Sequence, residues 1–248
     1  MSDQGGWIFG LHAVRTALQK GHQVIELLVD AGRHDGRIKE VLALAAESRI
    51  PVQSVAGRKL DELARDASHQ GVMARLQPQQ TQDEPYLKAL LKRLDTPPFL
   101  LILDEVQDPH NLGACLRTAE GAGVHAVITP RDRSVGLTPT VRKVACGAAE
   151  TVPFVQVTNL ARTLKWLKSE GIWLMGTAGD APKSLYETDL TGPLALIMGS
   201  EGKGIRRLTR EQCDLLIRLP MAGTVESLNV SVATGVTLYE AVRQRSSR

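Results

Sequence analysis

Phe99 to Leu103 and Leu194 to Met198 are apolar at every position and rich in large side chains. A run with two apolar faces reads as a strand buried on both sides of a sheet. Elsewhere short apolar runs alternate with stretches of helical spacing. Leu11, Val14, Ala17 and Leu18 share one helical face, and Gly21 closes that helix. Val24 to Val29 reads as a strand, about 35–47 as a helix with the stripe Ile38, Val41, Leu42 and Ala45, and Pro51 to Val55 as a strand. Leu60 to Ala67 reads as a helix and Val72 to Leu76 as a strand.

Residues 78–85 hold no large apolar residue and are bracketed by prolines, which marks a linker. Tyr86 to Leu94 reads as a short amphipathic helix that Thr96-Pro97-Pro98 ends. After Phe99 to Leu103 the pattern predicts a helix from Asn111 to Ala122, a strand Ala126 to Thr129, a helix Thr138 to Cys146 and a strand Val152 to Val157. A helix Asn159 to Ser169, a strand Ile172 to Met175, a short helix Ile205 to Gln212, a strand Leu215 to Leu219 and a helix Asn229 to Gln244 complete it. Strands alternating with helices predict a mostly parallel sheet covered on both faces, with ligands at the carboxyl ends of its strands. The expected organisation is a small α/β unit over 1–77, a linker and short helix over 78–97, and a larger α/β domain over 98–248.

Composition narrows the class. With 43% hydrophobic and 23% charged residues the chain is an ordinary globular one. No apolar run approaches the roughly 20 residues needed to span a bilayer, and the first six residues have no basic or apolar leader pattern. The expectation is a cytoplasmic protein with no membrane partner. Cys115, Cys146 and Cys213 are odd in number and scattered, which fits reduced thiols rather than a disulfide or zinc framework. The histidines are scattered too, so no metal is expected. A net charge of +3 permits nucleic-acid binding without demanding it. Basic residues cluster locally at Arg131, Arg133, Arg142 and Lys143, at Arg206, Arg207 and Arg210, and at Arg243, Arg245 and Arg248. Singly, each reads as a solvated charge.

Three loops at predicted carboxyl ends are unusual. The first runs from Asp108 to Arg117. Asn111 reads as a helix N-cap. Gly113 and Arg117 lie at i and i+4 on one helix face. A glycine inside a helix costs roughly 1 kcal/mol against alanine, and this one is expected to clear room for a bulky group beside the guanidinium. The alternative for Arg117 is an ion pair with Glu120. The second loop, Gly199-Ser200-Glu201-Gly202-Lys203-Gly204-Ile205, fails the Walker pattern because Ile197 and Gly204 stand where Gly and Ser/Thr are required. It fails the dinucleotide pattern as well, leaving a tight turn or another ligand. Glu201 repels phosphate and suits a cationic or hydroxyl-bearing one. The third loop runs from Pro220 to Ser231, where Ser227 or Asn229 is a possible cap for the last helix. That helix carries small residues at Ser231, Ala233, Thr234 and Gly235, which let another helix approach closely, as at a subunit interface.

These three loops, in this order, resemble the SpoU/TrmH family of RNA ribose 2′-O-methyltransferases, within the SPOUT superfamily. The segments that carry the likeness are Asn111-Leu112-Gly113 through Arg117, Met198 through Ile205, and Ser227 through Gly235, spanning most of residues 100–245. Ile8 through Val14 and His69 through Val72 resemble the small RNA-binding domain of some members. The resemblance implies an N-terminal α/β RNA-binding domain followed by a parallel-sheet α/β domain with a trefoil knot. It implies methyl transfer from S-adenosyl-L-methionine to the ribose 2′-hydroxyl of a guanosine in 23S rRNA of the large subunit, by a homodimer. By likeness, Arg117 is the catalytic base or stabiliser, Asn111, Glu201, Ser227 and Asn229 position it and the nucleotide, and Gly199, Leu219 and Leu228 contact the cofactor. A neutral arginine at pH 7 costs roughly 7–9 kcal/mol, so a role in stabilising the developing alkoxide stands beside that of base. A tRNA substrate, or a non-catalytic RNA-binding role in ribosome assembly, are the competing readings.

Overall fold

The structure is a computed structural model, described here over residues 6–64, 68–200 and 202–246. The chain divides into two compact units, one of Met1–Gln79 with Cys146–Thr151, the other of Gln80–Ala145 with Val152–Arg248.

The first unit carries strands β1 (Trp7–Phe9), β2 (Val24–Asp30), β3 (Val52–Val55) and β4 (Val72–Leu76), and helices α1 (Leu11–Gln19), α2 (Gly36–Glu47) and α3 (Gly57–Ala64). The sheet order is β1-β4-β2-β3. β4 is antiparallel to β1 and β2, and β2 is parallel to β3. Side chains alternate between the sheet faces. Ile8, Leu27, Val29, Val72 and Ala74 meet α1 and α2 through Val14, Ala17, Ile38 and Val41. Leu28 and Met73 meet Leu60 and Ala64 of α3, with Trp7, Phe9 and Val55 against them. Helix α1 closes in a Schellman motif: the Gly21 N–H donates to Leu18 and the His22 N–H to Ala17, with Gly21 at φ +70°. Strand β1 escapes a pattern reading because three residues are too few to show alternation. The sequence pattern carries α3 on to Ala67, which lies outside the described residues.

The second unit contains α4 (Glu84–Arg93), β5 (Phe99–Asp104), α5 (Pro109–Gly121), β6 (Ala126–Pro130), α6 (Pro139–Ala145), β7 (Phe154–Val157), α7 (Leu160–Ser169), β8 (Trp173–Thr177), β9 (Lys183–Ser184), β10 (Leu194–Gly199), α8 (Arg207–Arg210), β11 (Leu215–Arg218) and α9 (Val230–Ser246). Among the described residues it forms one sheet of order β7-β6-β5-β10-β8-β11-β9, with every pairing parallel. The two all-apolar runs, β5 and β10, lie side by side in its middle, Leu100 opposite Ala195 and Ile102 opposite Ile197. One face of this sheet packs on α4 and α7, through Leu87, Leu160, Leu164 and Leu167. Helices α5, α6 and α9 pack together on its other side.

Several boundaries differ from the sequence pattern for local reasons. Helix α4 starts at Glu84, because the Asp83 carboxylate caps the Tyr86 N–H at 3.0 Å and a proline occupies its first turn. The polar composition that reads as linker is also helix-start chemistry. Gln82, just before it, pairs with the edge strand β7. Helix α8 is a single turn rather than the stretch Ile205 to Gln212. Strand β9 has only two residues and no sequence signature.

Near its end, α9 is tied down by Glu240, buried and hydrogen-bonded to the Arg243 guanidinium through two bonds of 2.8 Å and to Gln244 at 2.8 Å. Gln244 in turn accepts the Leu190 N–H and donates to the Thr188 carbonyl. Hydrogen bonding from Arg243 holds the Glu240 carboxyl down at about 2. A carboxylate depressed in the folded state contributes stability that is complete above its ordinary value of 4.5 and is lost as pH falls through the folded value. Urea midpoints at about pH 6 and about pH 3 should therefore fall further in the wild type than in Glu240→Gln. Equal falls would show that this carboxylate carries none of the acid sensitivity.

Candidate active site

The order of the parallel sheet changes direction beside β5: from β5 the chain builds outward through β6 and β7, crosses over to β8 and β9 in the other half, and returns to lay β10 between β5 and β8. Open α/β sheets bind ligands in the crevice outside such a point. At that crevice Asp104, the last residue of β5, stands opposite Gly199, the last of β10. Asp104 is fully buried, so it needs a partner. The chain supplies Arg206, just past the glycine loop. Its backbone N–H donates to Asp104 Oδ2 at 3.0 Å and its Nε to Oδ1 at 2.7 Å. One buried charge thus fixes where the glycine loop returns.

Inside that loop Ser200 and Gly204 exchange two backbone hydrogen bonds of 3.1 and 2.9 Å. Gly202 and Gly204 take φ +77° and +67°, which glycine alone adopts freely. Gly199 has no room for a side chain, since a Cβ there would lie 2.0 Å from the Gly204 carbonyl carbon. Ser200 Oγ is buried and has no hydrogen-bond partner among the described residues. Glu201 lies outside the described residues.

Helix α5 follows β5 at the same edge. Its N-cap is Asp108, which accepts the His110 N–H at 2.8 Å; that bond is the main cause holding its carboxyl below the ordinary value. The capping role read for Asn111 is therefore filled three residues earlier. Asn111 instead accepts a hydrogen bond from the Asn229 amide at 3.0 Å. Asn229 does cap α9, accepting the Ser231 N–H at 2.9 Å. One asparagine serves both functions because Oδ1 is spent on the cap and Nδ2 on Asn111.

That bond begins a parallel pairing of α5 with α9. Cys115 Sγ lies 3.6 Å from Thr234 Oγ1, a Cβ on Gly235 would meet Thr118 at 3.7 Å, and one on Gly121 would meet the Tyr239 hydroxyl at 3.1 Å. On α5 each contact is about one helical turn beyond the last, and on α9 the same contacts run in the same direction from Asn229 to Tyr239. Both N-termini consequently point the same way, bringing two positive dipole ends to the site. Burial pushes the Cys115 thiol up to about 11, so it packs as an apolar group. Thr234 and Gly235, two of the small residues of α9, face α5 of the same chain.

Gly113 has a different reason from the one the sequence suggests. A Cβ there would lie 2.6 Å from Val144 Cβ and 2.9 Å from the Val141 carbonyl of α6. The space beside the helix is filled by α6, not reserved for a ligand. Arg117 is exposed on α5. Ser227 and Leu228 stand exposed in the loop before α9, and Leu219 is half-buried just after β11. The structure therefore joins Asn111 to Asn229 directly and sets Gly199 beside Asp104. Arg117 lies on α5, Ser227 and Leu228 in the loop that leads into α9, and Leu219 at the end of β11.

The sequence pattern gave no role to Asp104 or Glu105, and it read Arg133 and Arg206 only as solvated members of basic clusters. Arg133 and Arg206 both reach Glu105 Oε1, at 3.2 and 3.5 Å. Glu105 and Arg133 have φ +66° and +59°. Left-handed backbone costs a non-glycine residue about 1–2 kcal/mol, while an exposed ion pair returns about 0–1 kcal/mol. The pair alone does not account for the two strained residues. A signal was available, since a charged pair directly ends an all-apolar strand. Among the described residues no cluster of acidic, histidine and cysteine side chains is placed to hold a metal, and no helix is long and apolar enough to cross a membrane.

A family model described as the SpoU rRNA Methylase family matches residues 98–239. The chain belongs to the SpoU rRNA methylase family. A second model, RNA 2′-O ribose methyltransferase substrate binding, matches residues 7–82. Among SpoU relatives, the 23S rRNA (guanosine-2′-O-)-methyltransferase RlmB of Pseudomonas putida is 58% identical over 239 residues, 96% of each chain. The crystal structure of the SpoU methyltransferase AviRb from Streptomyces viridochromogenes is 27% identical, with a TM-score of 0.69 over 98% of this chain and 90% of that one. AviRb in complex with the cofactor AdoMet matches with the same TM-score at 24% identity, over 98% of this chain and 91% of that one, a likeness of fold.

Two substitutions test this construction. Gly113→Ala gains about 1 kcal/mol of helix propensity but forces overpacking worth about 1–3 kcal/mol against groups that cannot swing away. The melting temperature should fall by about 2–4 °C; a rise would show that α6 yields freely. Asp104→Asn strips the half-buried Arg206 of its charge partner. A loss of about 3 kcal/mol in urea unfolding is expected, and a loss within about 0.5 kcal/mol, the range of ordinary surface substitutions, would remove this pair from its organising role.

Proposed function

We propose that the protein transfers a methyl group from S-adenosyl-L-methionine to the ribose 2′-hydroxyl of a guanosine in 23S rRNA. The observation that carries this is the 58% identity, over 96% of both chains, with a protein named for that reaction. The residues present fit the cofactor: the glycine loop offers open space at Gly202 and Gly204, and the buried Ser200 hydroxyl has no hydrogen-bond partner among the described residues. In this reading Gly199, Leu219 and Leu228 hold it at the crevice. When bound, it supplies an electrophilic sulfonium methyl.

The chain's own residues then have to align the ribose and manage one proton. Arg117, exposed on α5, is assigned to the 2′-oxygen, as its base or as the cation that stabilises it while the proton leaves. The planar fork of an arginine suits it to hold that oxygen and a neighbouring phosphate together. Asn111 and Asn229, bound to each other, fix the start of α5 on which Arg117 rides. Ser227 and Glu201 are assigned to positioning the nucleotide. The same reading makes the enzyme a cytoplasmic homodimer with large-subunit rRNA as partner and the C-terminal region threaded as a trefoil knot. The exposed Val225, Val232 and Tyr239 support a contact surface for a second subunit.

Transfer of labelled methyl to unmodified large-subunit rRNA tests the proposal, with bulk tRNA alongside. Label at a single guanosine ribose is expected, reduced at least about 100-fold in Arg117→Ala. Label in tRNA alone would overturn the substrate. Full activity in Arg117→Ala would remove that residue from the chemistry.

A further inference from the structure

Glu105 holds two arginines that come from different segments. Arg206 follows the glycine loop and Arg133 lies in the loop after β6, yet both approach the same oxygen, Glu105 Oε1. The two are not equivalent. Arg206 is gripped from behind by the fully buried Asp104. Arg133 has 70% of its side chain exposed, while Glu105 beneath it is only 13% exposed. The carboxylates therefore lie inside and a guanidinium lies outermost, so the surface presented to solvent is positive.

The loop that carries this guanidinium is anchored. The Val135 N–H donates to the Val106 carbonyl at 3.1 Å, anchoring the Arg133 loop to the segment that follows β5. Glu105 itself is one residue beyond Asp104, which pairs with Gly199. Arg133 thus stands on the rim of the crevice that holds the glycine loop. Guanidinium carries five N–H donors in a fork that matches a phosphate. The bond to Glu105 uses one nitrogen, Nη1, of a side chain that is 70% exposed. Both residues that make this bond have left-handed backbone, which an exposed ion pair alone does not justify.

We infer that Arg133 contacts a phosphodiester of the RNA beside the target nucleotide, and that Glu105 is a positioning residue that aims it. This rests on the reading of the protein as an RNA methyltransferase. Each phosphate contact releases counterions, so losing one lowers the slope of log affinity against log salt by about one.

The test is filter binding of a large-subunit rRNA fragment to the full chain across a salt series, with methyl transfer and S-adenosylmethionine calorimetry on the same samples. Arg133→Ala should weaken RNA binding about tenfold at low salt and reduce the slope by about one, with cofactor affinity as in the wild type. Arg133→Lys should restore the slope, because it returns the charge. Glu105→Gln removes a negative charge, which alone would tighten RNA binding; weaker binding in this variant is expected because Arg133 loses its aim, and binding as tight as the wild type or tighter would remove Glu105 from its positioning role. Wild-type affinity and slope in Arg133→Ala would overturn the proposal, as would weaker binding with an unchanged slope in that variant. A wild type that binds the RNA and transfers no methyl group would overturn the functional reading instead, leaving the phosphate contact to be decided by the slope.

Discussion

A carboxylate buried at the end of the central strand organises the catalytic unit. Asp104 is inaccessible to water, and an ionised group there is tolerable only with a charged, hydrogen-bonded partner. Arg206 meets that demand with both its backbone and its guanidinium. Gly199 is held in the sheet and Arg206 by Asp104, and two backbone bonds tie Ser200 to Gly204 between them. A loop so constrained can present backbone groups to a ligand without ordering them at the moment of binding.

The second constraint is steric. Helix α5 is squeezed between α6, which requires Gly113, and α9, which approaches through Thr234 and Gly235. Close packing on both flanks fixes the rotation of α5 about its axis. That rotation decides where Asn111 and Arg117 point. The Asn111–Asn229 bond is then a consequence of two helices starting side by side, and it links the first and third sequence motifs physically.

The layering of both units follows from elementary alternation. In β2, Leu27 and Val29 go to one helical layer and Leu28 to the other. In the larger sheet β5 and β10 are apolar on both faces because helices cover both. Polar chemistry is thereby expelled to the strand ends, where Asp104 and Gly199 lie.

The sequence by itself determined the alternation of strands and helices, the two central strands, the parallel sheet and the three loops, because burial on one face or both leaves a period in the residue pattern. It also carried the family likeness, through motif residues whose order survives in the chain. Tertiary structure alone decided what those residues touch. Asn111 reads locally as a cap, yet Asp108 holds that place and Asn111 meets a residue far along the chain. Gly113 reads as room for a ligand and is room for a helix. The Asp104–Arg206 pair and the Glu105–Arg133 bracket join residues distant in sequence. No spacing rule encodes such partners, because they are chosen by the register of one strand against another and by where a loop must return to neutralise a buried charge.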